Sequence, residues 1–326
     1  MYLDGKRVLL AGATGLAGRS ILRYLLRHCP RTRVRAVFHE KTRHALRDGR
    51  LEYVRADLCR LQDCRRAAKG CDSVFMAAAQ TGGAQAAVRE PWRQVTDNAV
   101  MNAHLLQACH DTGIRRVVCI GSATLYQPQE GPVREEDLKL DHDPHSSYFG
   151  IGWVTRFVEK LCRFWHEKTG LEVVLARCAN IYGPFARFDP ARANFIPALV
   201  RKAVDKMDPF EVWGSADVAR DVIYADDFAS AVVAMMNAAD IRFDVFNVGS
   251  GKAVTVGDVV AWALAGAGHT PRRIVYREDK PVTIRSRVLD ITKAMKLLGW
   301  KPEVGPREGI AKTAAWWQEN RRHWKR

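Results

Sequence analysis

Gly12, Gly15 and Gly18, spaced three apart, follow directly on the apolar run KRVLLAG and open a helical pattern from Leu16 to His28. No other feature of the chain limits its fold so narrowly. A strand that turns into a helix within a few residues needs a position tolerant of positive φ. It also needs a bare backbone that a ligand can approach and a helix seated close on the strand. The unpaired N–H groups and the positive end of the helix then face one point, where a diphosphate can be held. This loop, after a strand and before a helix, predicts a dinucleotide-binding unit with Gly12, Thr14, Gly15, Leu16 and Gly18 as contacts.

Downstream, strand-like and helix-like patterns alternate, as βαβ units do. VRAVF, RLEYVRAD, SVFMAAA, RRVVCIGS and LEVVLARC read as further strands, and helices are predicted over 96–112, 151–169 and 196–204. The fold class is therefore α/β, a doubly wound Rossmann-type parallel sheet with a smaller C-terminal substrate lobe. Residues 1–180 are expected to form mainly the dinucleotide-binding domain and 181–326 mainly the substrate lobe. The two interleave where the last elements of the sheet return at about 220–248.

The second strand ends at His39, followed by Glu40, Lys41, Thr42 and Arg43. A dinucleotide without a 2′-phosphate is usually held by a carboxylate about 20 residues past the loop. Basic residues here suit a 2′-phosphate instead, so His39 and Arg43 favour NADP over NAD, with Glu40 keeping NAD open. Asp57 and Leu58 close the third strand beside the adenine, although Asp57 could equally be a helix N-cap. Ala77, Ala78 and Ala79 follow the fourth strand and line the same cofactor cleft.

The formal charge is +15. A basic chain attracts polyanions, yet its arginines are spread without a dense tract, which argues against nucleic acid as the main partner. The eight cysteines form no CxxC pair, so buried reduced thiols in a cytoplasmic protein are expected, with no metal site. No long uncharged apolar run predicts a membrane span.

Taken together, GATGLAG, AAAQTGG, Asn98, GSATLY, Tyr148, CANIYGP, VWGSADVARDVIYADDFA, VFNVGSG and RVLDITKAMKLLGWKP resemble the extended short-chain dehydrogenase/reductase family. The resemblance covers nearly the whole chain and points to the nucleotide-sugar epimerase/dehydratase branch. It implies NAD(P), a nucleotide-diphosphate sugar and a homodimer formed by the helices at 96–112 and 151–169. It further implies Ser122 and Thr124 as holders of the substrate hydroxyl, and Tyr148 as general acid/base and cofactor contact. Gly82, Asn180, Asn194, Arg201, Trp213, Arg220 and Arg287 are implied as substrate contacts. Arg220 has a second reading, as an ion pair with Asp221 or Asp226.

The family carries a lysine four residues after the tyrosine, on the same helical face. Here that residue is Gly152. An ordinary tyrosine ionises near pH 10 and needs help to act as a base near neutrality. Lys160 lies roughly 18 Å along the helix at the usual rise, and Arg156 is also poorly placed. His145 is the nearby titratable candidate, and a lysine restored at position 152 is expected to tighten nicotinamide binding. Thr124 and Asn194 stand where C3/C5 epimerisation needs Cys and His, and Leu125-Tyr126 where dehydration needs Asp-Glu. The pattern left is that of a 4-epimerase acting through a keto intermediate, or of a catalytically weak binding protein.

Overall fold

The computed structural model describes residues 1–40, 45–81, 90–190, 192–277 and 284–324. The chain begins with β1 (Arg7–Ala11), α1 (Leu16–His28), β2 (Arg33–Phe38), β3 (Leu51–Arg55), α2 (Leu61–Ala68), β4 (Ser73–Met76), α3 (Pro91–Asp111) and β5 (Arg116–Ser122). After β6 (Pro132–Val133) come α4 (Phe149–Thr169), β7 (Glu172–Cys178), β8 (Asn180–Tyr182), α5 (Phe195–Val204), β9 (Phe210–Trp213), β10 (Ala219–Arg220), β11 (Val222–Tyr224) and α6 (Ala225–Asn237). The last are β12 (Phe243–Val248), β13 (Val254–Thr255), α7 (Val256–Ala267), β14 (Ile274–Arg277), β15 (Ser286–Leu289), α8 (Thr292–Leu298) and α9 (Pro306–Asn320).

Seven strands form one parallel sheet in the order β12-β7-β5-β4-β1-β2-β3. Its strands are short and apolar on both faces, as a sheet covered by helices on both sides requires. Val8 and Leu10 point into a core shared with α1 and α6, whereas Leu9 and Ala11 point into one shared with α2, α3 and α4. The chain order reverses between β1 and β4, and such sheets hold ligands in the crevice beyond the carboxyl ends of the strands at that point. A third core lies under α5, α7 and α9 in the second half.

Helix α3 begins at Pro91, five residues before the predicted start, because proline suits the first helical position, where no N–H is needed. The second half also contains a four-stranded sheet, β13-β10-β15-β6, and the pairs β11-β8 and β14-β9. The C-terminal segment returns to the first helix: Trp324 is buried, donates to the Ala186 carbonyl at 3.0 Å and lies 5.2 Å from the Arg19 guanidinium of α1.

Among the described residues no helix is long and apolar enough to cross a membrane, and no group of three His, Cys, Asp or Glu could hold a metal ion. All eight cysteines are free, and seven are buried.

The wholly buried Arg116 joins the large sheet to α6. It donates to Glu172 Oε2 at 2.9 Å and to the carbonyls of Met235, Ala238 and Ile241 at 2.9, 2.6 and 3.0 Å. Those carbonyls belong to a helix end and the turn beyond it, which have no other donors within the helix. Arg116→Met is expected to cost at least ~2 kcal/mol, since each stranded buried polar group costs about 1–3 kcal/mol. Urea unfolding of the two proteins measures it.

Candidate active site

The glycine loop is tight enough that two of its glycines admit no side chain. Gly12 has φ 80°, and a Cβ there would lie 2.6 Å from the Ala78 Cα and 2.7 Å from the Ala77 carbonyl oxygen. A Cβ on Gly18 would run into the Gly12 carbonyl. Gly15 is the N-cap of α1, with no side-chain cap and no acidic residue in the first turn. The N–H groups of Leu16 and its neighbours are thereby left to an incoming anion, and the residues present fit a dinucleotide diphosphate.

The floor beside the loop is held from a distance. Buried Asn98 accepts from the Gln80 N–H at 2.8 Å and donates to the Gln80 carbonyl at 3.0 Å and the Gln94 carbonyl at 2.6 Å. This fixes the path of Ala77, Ala78 and Ala79, of which Ala79 is exposed.

At the outer end of the crevice, His39 is exposed and its carbonyl accepts from Arg55 Nε at 3.2 Å. Arg55 therefore adds a cation at this end that the sequence reading missed, although the β2–β3 register pairs it with Phe38. Arg43 and Gly82 lie outside the described residues. The helix N-cap reading of Asp57 does not hold, because α2 is capped by Arg60. Asp57 Oδ1 accepts from the Cys59 N–H at 3.0 Å, in a local turn, and Leu58 beside it is buried.

Ser122, Thr124, Tyr148, Asn180, Arg220 and Arg287 line one cleft at the carboxyl end of the large sheet. Ser122 ends β5 and accepts from Thr124, its Oγ 3.1 Å from the Thr124 Oγ1. Arg220 and Arg287 are directly paired residues of β10 and β15, both line the cleft, and each is more than nine-tenths buried. Arg287 donates to the Ala123 and Tyr126 carbonyls at 2.7 and 3.0 Å. Burial is the main cause that lowers its pKa to about 10, opposed by Tyr148 and reinforced by the charge of Arg220.

The ion-pair reading of Arg220 with Asp221 fails on geometry. The Asp221 carboxylate accepts instead from the N–H groups of Ser250, Gly251 and Leu289 at 2.7, 3.1 and 3.1 Å, and from Ser250 Oγ at 2.8 Å. Three other predicted contacts do not line this cleft. Asn194 is the exposed N-cap of α5, Arg201 pairs with Asp205 at 3.5 Å, and Trp213 ends β9 half exposed.

Gly152 sits where the structure admits only hydrogen. A Cβ there would lie 2.6 and 2.7 Å from Pro144 Cβ and Cγ and 2.9 Å from the Thr124 carbonyl oxygen. Helix α4 itself draws this segment in. Arg156 donates to the Leu125 and His142 carbonyls at 2.8 and 2.5 Å, and Trp153 Nε1 donates to Asp143 Oδ1 at 2.9 Å. A lysine at 152 would bring its Cβ against Pro144 and the Thr124 carbonyl, so that this segment would have to shift to admit it. His145 is also no substitute cation. Burial, then the charges of Arg287 and Arg220, hold its imidazole below the ordinary range, so it is neutral near pH 7.

A region of 242 residues, 8–249, matches the NAD dependent epimerase/dehydratase family. The chain belongs to that family. It is 28% identical over 329 residues to a dTDP-4-dehydro-6-deoxy-D-allose reductase of Streptomyces bikiniensis, with 98% of each chain covered. A GDP-L-fucose synthase of Sinorhizobium fredii is 27% identical over 322 residues, with 96% of each covered. Among solved structures, MoeE5 in complex with UDP-glucuronic acid and NAD superposes with a TM-score of 0.83 at 26% identity, covering 96% of this chain and 99% of that one. Family members thus include nucleotide-sugar reductases, synthases and epimerases.

Gly152→Ala is expected to destabilise the protein by about 1–3 kcal/mol, the usual cost of forcing an extra methyl into a filled site. Gly150→Ala should cost less, because its added methyl would meet the Val95 Cγ2, the end of a side chain. Denaturant unfolding of both variants tests this ordering.

Proposed function

We propose that this protein binds a nicotinamide dinucleotide, NADP in preference to NAD, and epimerises or oxidoreduces a nucleotide-diphosphate sugar through a keto intermediate. The observation that carries the reading is the cleft, in which a hydroxyl pair, a phenol and two paired buried arginines converge from separate elements. Guanidinium groups buried in one cleft repel each other, and a diphosphate relieves that repulsion while accepting paired hydrogen bonds from each planar fork. The relatives act on dTDP-, GDP- and UDP-linked sugars by name, and MoeE5 holds a UDP-sugar together with NAD.

Bound along Gly12–Gly18, the dinucleotide would accept and return a hydride. The chain's own residues divide the remaining work. Ser122 and Thr124 hold the sugar hydroxyl, and Tyr148 takes its proton as the carbonyl forms and gives it back on reduction. Asn180, Arg220 and Arg287 grip the diphosphate. Arg55 supplies positive charge for a 2′-phosphate next to the exposed His39, and Arg43 is proposed as a further contact. The eight free thiols support a reducing, cytoplasmic setting.

The filled space at Gly152 favours one other reading, a nucleotide-sugar-binding protein that turns nothing over. Both are tested by titrating NADP and NAD, then incubating the protein with UDP-, GDP-, CDP- and dTDP-sugars and mapping the products. The expected outcome is tighter binding of NADP and turnover that falls at least a hundredfold in Tyr148→Phe, within the usual range for losing an acid/base group. Melting-temperature shifts with ligand but no product from any sugar would establish the binding reading instead.

We also propose a homodimer packed through α3 and α4. Phe149, Phe157 and Phe164 form an exposed stripe down α4, 53%, 49% and 49% accessible, and Trp92 of α3 is 62% accessible. Phe157→Glu combined with Phe164→Glu should shift the protein to a monomer in light scattering; an unchanged mass would remove the support for this interface.

A further inference from the structure

Tyr148 stands at the N-cap of α4, and no cation of that helix serves it. The position four residues on is closed by Pro144 and Thr124, and Arg156 is committed to the Leu125 and His142 carbonyls. The charge near the phenol comes from a different sheet. Arg220 lines the same cleft as Tyr148, and the Arg287 guanidinium lies 5.9 Å from the centre of the Tyr148 ring. Both arginines are held rigidly. Arg220 donates to the Ala219 carbonyl at 2.6 Å, and Arg287 is fixed by Ala123 and Tyr126 on the loop that carries Thr124. His145 is the other titratable group against the phenol, its ring centre 6.1 Å away, and it is neutral near pH 7. Asp221 lines the same cleft, but its carboxylate accepts from the Ser250, Gly251 and Leu289 backbone.

We propose that Arg220 and Arg287 are positioning residues for Tyr148, supplying from β10 and β15 the positive charge that its own helix does not. The mutual influence runs both ways. Burial makes each guanidinium harder to keep charged, and Tyr148 is the neighbour that offsets this for both. A pair of cations in a site of low polarity stabilises a phenolate far more than the same pair in water would. A cation placed on a second sheet also explains how the tyrosine helix could yield its own side-chain position to Pro144. The proposal rests on the reading of Tyr148 as acid/base, and deepens it.

Two measurements on the full-length protein decide it. The first is kcat and KM against pH, with the sugar that turns over, for wild type, Arg220→Gln, Arg220→Lys and Arg287→Gln. Arg220→Gln should lower kcat about tenfold or more near neutrality, with the deficit shrinking as pH rises and phenolate forms without help, while Arg220→Lys keeps most of kcat. A raised KM with kcat and its pH profile unchanged would mean that Arg220 only grips the diphosphate, and would overturn the proposal. The second is a thermal-unfolding cycle of Arg220→Gln, Tyr148→Phe and the double variant, which requires no turnover. The double variant should lose less than the two single losses added together; simple additivity would overturn the proposal even if no sugar reacts. Absence of turnover alongside clear coupling would reject the enzyme reading and leave the arginine–tyrosine contact standing.

Discussion

Two arginines buried as direct neighbours on parallel strands are the constraint around which the cleft is arranged. Like charges at that spacing, out of water, must be given acceptors or the strands will not pair. The protein answers in layers. Asp221, between the arginine of its own strand and the next strand, gathers four donors from the 250–251 turn, Ser250 Oγ and Leu289, and so fixes β10 against β15. Even Gly249 is shaped by this knot, since a Cβ there would lie 2.5 Å from Asp221 Oδ2. Arg287 is then anchored on the Ala123 and Tyr126 carbonyls, which sets the loop holding Ser122 and Thr124.

The opposite wall is built by α4 through a trade of space. Arg156 and Trp153 pull residues 142–144 onto the helix, and the glycine beneath them lets the segment come close. The same contact brings His145 and Tyr148 to the mouth of the cleft. Helix α4 and the loop after β5 are thereby joined through main-chain carbonyls rather than by surface ion pairs, which contribute little when exposed.

Much of the architecture was readable from the chain. Strands β1 to β5 and β7, helix α1 and the glycine loop were found by periodicity and spacing, because local chemistry decides them. What could not be read depends on segments far apart in sequence. The two-residue strands β10 and β13 carry no period, and only the pairing of β10 with β15 reveals that Arg220 and Arg287 are neighbours. Gly152 stood out as a departure, yet its reason lay in Pro144, carried there by Arg156 and Trp153. Asn98 was picked out as part of a pattern, but its partner Gln80 follows the fourth strand, and nothing in the spacing announces that bond. Asn194, Arg201 and Trp213 were implied by likeness of position alone, and the cleft does not include them.

The large sheet is finished by a strand that arrives late, β12 at Phe243–Val248, and the first helix is covered by Trp324. During synthesis, the sheet that carries the glycine loop is therefore complete only after residue 248. Until β12 has been made, β7 is an open edge able to recruit another strand.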